Sequence, residues 1–126
     1  MSKSMSFTFL GQIKSGKNNM KITREGRHYP NKEFAKWRSS VISQISQAYN
    51  FSFKPKDVFD KPCRITVKYW RGDNRRRDIP GMADALWHCL ERATVVLDDK
   101  LFEEVHWLPQ ELDIKNPRTE IVIEEL

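Results

Sequence analysis

The sequence predicts an α+β fold: a two-layer domain in which two main helices pack on a mixed β-sheet, in the order strand, hairpin, helix, strand, helix, strand, strand. Apolar residues recur every three or four positions in two segments, and segments of alternating apolar and polar residues lie around them. The 126 residues are 39% hydrophobic and 31% charged, a composition typical of a folded globular protein. We therefore expect a single domain, residues 1–126.

The first half contains a strand, a hairpin and a helix. Phe7 and Phe9 alternate with polar residues, which is the period of a half-buried strand. Residues 20–23 and 27–29 flank a turn at Gly26 and predict a short hairpin. Asn31 can cap the helix that follows, whose apolar stripe consists of Phe34, Trp37, Val41, Ile45 and Ala48.

The second half begins with the clearest strand, residues 63–70, and a basic turn. A second helical stripe spans residues 82–93, and residues 94–97 then lead into an Asp-Asp pair. Residues 105–108 and 120–123 predict two further strands. Because these elements also contain the four tryptophans and both cysteines, we expect the indoles to pack in the core and the thiols to be buried and reduced; these residues are Trp37, Trp70, Trp87, Trp107, Cys63 and Cys89.

Charge is unevenly distributed along the chain, although the net charge is only +5. Residues 1–77 contain 18 Lys and Arg against 5 Asp and Glu, whereas residues 78–126 contain 4 against 12. A basic first half suits a polyanion such as nucleic acid, and a solvated lysine-rich surface is the alternative. With no apolar run near the roughly 20 residues of a membrane span and no signal-peptide pattern, we expect a cytoplasmic protein without a membrane partner.

Acidic residues gather at the ends of predicted elements. Asp78 and Asp84 lie at the start of the second helix, and Asp98 and Asp99 follow the segment that returns from its end. If residues 94–97 are extended, they cover most of the helix length and the carboxylates can converge. Clustered carboxylates need a cation, and oxygen-only ligation selects Mg²⁺ or Mn²⁺, ions that activate water for phosphodiester hydrolysis. A helix cap, a solvated helix position and a turn remain the structural alternatives.

Two other classes of site are not supported. The histidines His28, His88 and His106 have no zinc-ligand spacing. Ser15-Gly16-Lys17 lacks the frame of a phosphate-binding P-loop, which excludes nucleotide hydrolysis of that type.

The run RRRDIPGMADALWHCLERATVVLDDKLFEEV resembles the core signature of the RusA family of crossover-junction endodeoxyribonucleases, with an Arg-rich turn, an Asp, a helix and an Asp-Asp pair in this order. The segment GKNNMKITREGRHYPNKEFAKWRSS is similar to that family's Lys-Asn loop, hairpin and first helix, so the resemblance covers roughly residues 7–107. It implies a Mg²⁺-dependent nuclease that resolves four-way (Holliday) DNA junctions by paired cuts as a homodimer, leaving 5′-phosphates, in a bacterial or phage-infected cytoplasm.

The resemblance also assigns residues. Asp78, Asp84 and Asp99 are expected to bind the metal, and Asp98 to assist. Pro80 and Asp84 stand where the family's motif has a second Asp and a Lys, so we expect Asp84 to replace the missing carboxylate. Phosphate contacts are expected from Lys14, Lys17, Asn18, Arg75, Arg76 and Arg77.

The departure at Pro80 leaves the catalytic lysine unassigned, with Lys100 and Lys17 as candidates. Two alternatives therefore stand beside the nuclease. One is a catalytically inactive protein that binds DNA junctions or single strands through the basic face. The other is a basic RNA-binding protein.

Overall fold

The computed structural model describes residues 3–11, 13, 20–22, 24–30, 32–52, 58–74 and 78–126. A short 3₁₀ turn at Asp99–Leu101 precedes the fifth strand. The helices and strands are β1 (Ser4–Leu10), β2 (Met20–Ile22), β3 (His28–Pro30), α1 (Lys32–Ser52), β4 (Cys63–Arg71), α2 (Ile79–Arg92), β5 (Phe102–Trp107), β6 (Glu111–Leu112) and β7 (Arg118–Glu125).

The main sheet is mixed, with the strand order β1-β7-β4-β5 and with β6 paired to the end of β4. β7 runs antiparallel to both β1 and β4, whereas β5 and β6 run parallel to β4. β2 and β3 form a separate antiparallel hairpin, whose turn contains Gly26 in the left-handed region at φ +81°. The predicted α+β fold, with two helices and a mixed sheet, is confirmed.

One face of the sheet is buried and the other is partly open. Alternation in β4 places Ile65 and Val67 in the core, whereas Arg64 and Lys68 lie on the other face. The helices contribute the predicted stripes to the same core, which removes their apolar surface from water; the buried members include Val41, Ile45, Met82, Leu86, Cys89 and Leu90. Within the described ranges, no helix is long and apolar enough to cross a membrane.

α2 begins earlier than its apolar stripe. Asp78 is its N-cap, and Pro80 lies in the first turn, where a proline loses no helical hydrogen bond. The helix ends at Arg92, and Ala93 caps it with an amide that donates to the carbonyl of Cys89 across 2.9 Å. Thr94 then adopts a left-handed conformation at φ +57°, which reverses the chain.

The tryptophans divide between the two faces. Trp37, Trp87 and Trp107 pack against the core as predicted. The prediction is wrong for Trp70, which lies on the open face with the guanidinium of Arg118 3.9 Å from its ring centroid. The physical reason is strand alternation, because position 70 is in phase with Arg64 and not with Ile65.

Both cysteines are buried and free, as predicted. Burial raises the pKa of Cys89 to about 12, so its thiol stays protonated and unreactive at neutral pH.

Candidate active site

Three carboxylates meet beside the end of α2. Glu91, Asp98 and Asp99 each offer an oxygen, and these oxygens all lie within 4.8 Å of one another. We call these three residues the acidic cluster. Ligands of an octahedral ion bound at about 2.1 Å are roughly 3 to 4 Å apart, so small side-chain rotations would bring the cluster to a binding geometry.

The chain reversal after α2 creates this cluster. Val95 and Val96 are buried, and the backbone on either side of Val96 is fixed to Phe59: the amide of Phe59 donates to the carbonyl of Val95 at 2.8 Å, and the amide of Leu97 donates to the carbonyl of Phe59 at 3.0 Å. The next two residues are therefore held alongside α2. Sequence periodicity alone does not encode this arrangement, because Phe59 is far away along the chain.

Hydrogen bonds fix the acidic turn itself. The amide of Asp99 donates to Oε1 of Glu91 across 2.7 Å, and Oδ1 of Asp98 accepts from the amide of Lys100 across 2.8 Å. A carboxylate has several acceptor sites, so both side chains keep the capacity to bind a cation. The cluster is thus positioned by the backbone rather than assembled from long, free side chains.

The raised pKa of the Asp99 carboxyl indicates that a positive charge beside it would be stabilising. Burial raises the pKa of its carboxyl above the ordinary value, the charge of Glu91 raises it next, and a hydrogen bond with Asp98 and the charges of Asp98 and Asp84 add to the rise. Like charges that are held together disfavour ionisation, and a bound cation removes this cost. The oxygen-only donor set and the mutual repulsion both fit a hard divalent ion such as Mg²⁺ or Mn²⁺.

Asp84 lies on α2 two turns before Glu91, and its side chain is exposed. It is outside the set of oxygens within 4.8 Å of one another, but its charge contributes to the raised pKa of Asp99. The structure therefore places Asp84 next to the acidic cluster and not within it.

Asp78 occupies the opposite end of the helix. Its Oδ2 accepts a hydrogen bond from the amide of Gly81 across 3.1 Å, as an N-cap does. At 1.5 Å per residue, the helix separates Asp78 from Glu91 by about 20 Å. The structure thus brings together Asp98 and Asp99 of the predicted residues and leaves Asp78 apart, because residues 94–97 form a turn and an isolated bridge instead of retracing the helix.

The predicted phosphate contacts lie outside the described residues; they are Lys14, Lys17, Asn18, Arg75, Arg76 and Arg77. Their roles stay predictions. On α2, burial lowers the pKa of His88, and the charges of Arg38 and Arg92 lower it further.

Glu91 was not among the residues that the sequence singled out. Its spacing from Asp84 could have identified it. Glu91 lies seven residues after Asp84, on the same side of the helix, in the last turn before the chain reverses. An acid at that position lies beside Asp98 and Asp99 of the returning segment.

No protein-family model matches this sequence. The chain is similar to the crossover junction endodeoxyribonuclease RusA of Aquifex aeolicus (strain VF5), with 24% identity over 99 residues, which cover 78% of this chain and 75% of the relative. The similarity extends over most of both proteins. It agrees with the RusA resemblance carried by the Arg-rich turn, the helix and the Asp-Asp pair.

Proposed function

We propose that this protein is an endodeoxyribonuclease that requires a divalent metal ion and cleaves four-way DNA junctions. The observation that carries the proposal is the acidic cluster, in which the backbone holds three carboxylates together against their mutual repulsion. The distant similarity to a crossover junction endodeoxyribonuclease supports the substrate class.

Glu91, Asp98 and Asp99 would hold the ion, with Asp84 close by. The resemblance alone supports a metal-binding role for Asp78, and the roughly 20 Å of helix between it and Glu91 mean that it would not contact the same ion within one chain. When bound, Mg²⁺ or Mn²⁺ would supply activation of water and neutralisation of charge on the phosphoryl oxygens in the transition state.

The chain's own residues supply position and charge. Glu91 fixes the amide of Asp99, and Asp98 fixes that of Lys100, so the carboxylates hold one geometry before substrate arrives. Lys100 stands beside the acids as a candidate to stabilise charge at the scissile phosphate. We propose that Arg75, Arg76, Arg77, Lys14, Lys17 and Asn18 orient the DNA backbone without reading its sequence.

Resolution of a four-way junction needs two cuts on opposing strands, and the near-twofold symmetry of the junction matches a homodimer. We propose this assembly for the protein. Sedimentation without DNA should give about twice the 14.9 kDa chain mass. A strictly monomeric protein would contradict the paired-incision mechanism but not the proposed nuclease activity.

A second candidate is a junction-binding protein that does not cut. The observation that favours it is the position of Asp78 at the far end of α2, together with Pro80 where the family's motif has an acid. Such a protein would bind junctions equally well with and without a metal ion.

A cleavage assay on an end-labelled four-way junction separates the two candidates. The nuclease should cut in Mg²⁺ or Mn²⁺, should not cut in EDTA, and should lose activity in Asp99→Asn. The matched control is Glu103→Gln, because Glu103 is an exposed acid close to the cluster in sequence but outside it. Absence of cleavage with every divalent ion, with binding retained, would leave the non-cutting protein.

A further inference from the structure

β1 is an edge strand of the main sheet, and alternate residues of it point their backbone groups away from β7. The amide of Gly11 donates to the carbonyl of Pro117 across 2.9 Å. The amide of Glu125 donates to the carbonyl of Lys3 across 2.8 Å, so the odd-numbered residues carry the hydrogen bonds to β7. In an antiparallel pair, the N–H and C=O groups of the residues between them point outward. These outward residues are Ser4, Ser6, Thr8 and Leu10.

One end of this outer edge is already hydrogen-bonded within the chain. The side chain of Gln44 on α1 accepts from the amide of Leu10 across 2.8 Å and donates to the carbonyl of Leu10 across 3.4 Å. No strand in the described part of the chain pairs with the remainder of the edge. The remainder consists of the outward backbone groups of Ser4, Ser6 and Thr8, which we call the free edge.

The free edge lacks the features that keep exposed strands from pairing. Natural edge strands contain charged side chains, a proline or a bulge, or another element covers them. β1 has the sequence SMSFTFL, without charge or proline, and it pairs with β7 over seven residues with no shift in register. The opposite edge, β5, contains Glu103 and Glu104, and its pairing with β4 is shifted at one point. Of the two edges, only that of β1 is built to accept another strand.

We propose that the free edges of two copies pair antiparallel about a twofold axis and form one continuous sheet through the homodimer. A strand that pairs antiparallel with its own copy is self-complementary, as a twofold interface requires. The proposal rests on the proposed function, because the homodimer itself is inferred from the symmetry of the junction.

The extent of the free edge selects the register. When Ser6 lies opposite Ser6 of the partner subunit, Ser4 lies opposite Thr8 of the partner subunit, and all three outward residues form backbone hydrogen bonds. An axis through Phe7 would place Ser4 opposite Leu10, whose backbone groups are already bonded to Gln44. In the first register, exposed hydroxyl side chains also face one another, and no like charges are opposed.

This pairing also determines how far apart the two acidic clusters lie. The acidic turn of each cluster directly precedes β5, which is three strands away from β1 in the sheet. Seven spacings of about 4.8 Å therefore place the two β5 strands about 30 to 35 Å apart. The two clusters would act at separate points of one junction, as two cuts on opposing strands require.

Disulfide cross-linking of variants that each add one cysteine tests the register. Ser6→Cys should give a covalent dimer of about twice 14.9 kDa on mild oxidation, because directly paired Cα atoms about 5.5 Å apart are within reach of a disulfide. Thr8→Cys alone should not, since its two copies would lie about 13 Å apart along the strands. Refolded together with Ser4→Cys, it should cross-link. The native Cys63 and Cys89 are buried.

A second set of variants tests whether this edge maintains the dimer. Ser6→Pro removes an outward N–H that β7 does not use, so it should keep the circular dichroism spectrum of the parent and sediment as a monomer. Ser6→Ala keeps the N–H and is the matched control, which should stay dimeric. Ser6→Lys opposes two like charges at the axis, and it provides the same test if the proline disturbs folding.

Glu103→Cys, on the exposed β5 edge, measures cross-linking by random collision and should give little dimer. Equal cross-linking of Ser6→Cys and Glu103→Cys, with Ser6→Pro and Ser6→Lys still dimeric, would overturn the pairing of β1 and leave the proposed homodimer standing. A monomeric parent would overturn both the pairing and the homodimer. Junction cleavage by such a monomer would still support the proposed nuclease.

Discussion

The backbone amide of Asp99 donates a hydrogen bond to Oε1 of Glu91 across 2.7 Å, which joins the last turn of α2 to the acidic turn that follows it. Glu91 thereby fixes the position of Asp99 and also raises its pKa. In the proposed nuclease, Glu91 would be a ligand as well. Substitutions can separate its positioning role from its charge.

Glu91→Gln keeps a carbonyl oxygen to accept from Asp99 but removes the negative charge. We expect cleavage in Mg²⁺ to fall at least ~10²-fold, about 2.7 kcal/mol of barrier, while the melting temperature in EDTA is unchanged or higher. Glu91→Ala removes the hydrogen bond too, and it should lower the free energy of unfolding by about 1 kcal/mol. Wild-type cleavage by Glu91→Gln would show that the residue acts only through its hydrogen bond.

The raised pKa of Asp99 makes the metal-free protein sensitive to pH. An acid whose folded pKa is raised contributes stability that is fully present below its ordinary value of 3.8 and is lost as pH rises through the folded pKa. Asp99→Asn should therefore be at least as stable as the parent at pH 7 in EDTA, and this advantage should disappear by about pH 3. Urea unfolding at several pH values measures it.

Addition of Mg²⁺ should make the parent more stable than Asp99→Asn at pH 7, because an ion that binds only the folded parent stabilises it by mass action. A variant that is less stable than the parent in EDTA at pH 7 would instead indicate a structural role for the Asp99 carboxylate.

Asp78 caps α2, and substitution by asparagine separates this capping role from the proposed role in catalysis. Asp78→Ala should lower the free energy of unfolding by about 0.5–2 kcal/mol, whereas Asp78→Asn retains a good cap and should be close to the parent. If Asp78 also serves catalysis, as the RusA resemblance implies, Asp78→Asn should cut at least ~10²-fold more slowly with its stability intact. Unchanged cleavage would restrict Asp78 to capping.

Asp84 is the proposed replacement for the acid that Pro80 displaces. Asp84→Asn should slow cleavage at least ~10²-fold and should lower the pKa of Asp99, since the charge of Asp84 helps to raise it. Titration of the Asp99 carboxyl by NMR measures the second effect. If Asp84→Asn cuts normally and Asp99→Asn does not, Asp84 does not replace the missing carboxylate.

DNA affinity should fall steeply with salt if the basic half contacts the backbone, by a log–log slope of about −0.7 to −0.9 per neutralised phosphate. Replacement of Arg75, Arg76 and Arg77 together by Ala should reduce the magnitude of that slope by roughly two or three. Lys115→Ala, at an exposed turn before β7, is the matched control and should leave it unchanged. An unaltered slope in the triple variant would place the DNA on another surface.

Much of the fold follows from local patterns. The stripes in α1 and α2 and the alternation in β4 correspond to the buried residues, because helices repeat every 3.6 residues and strands every two. β6 was not predicted, since two residues carry no period; its pairing with the end of β4 defines it. Trp70 was expected in the core because it lies in a predicted strand, although the phase of that strand places it on the open face.

By itself, the sequence determined the fold class, the helix that carries Asp84 and Glu91, and the presence of an Asp-Asp pair after it. Only the tertiary structure decided which acids meet. Glu91 contacts Asp99 because the chain reverses at Thr94 and because hydrogen bonds to Phe59 hold the returning segment beside α2. Local periodicity reports which face of an element is apolar. It cannot report where a reversed segment stops, since contacts with a distant part of the chain set that position.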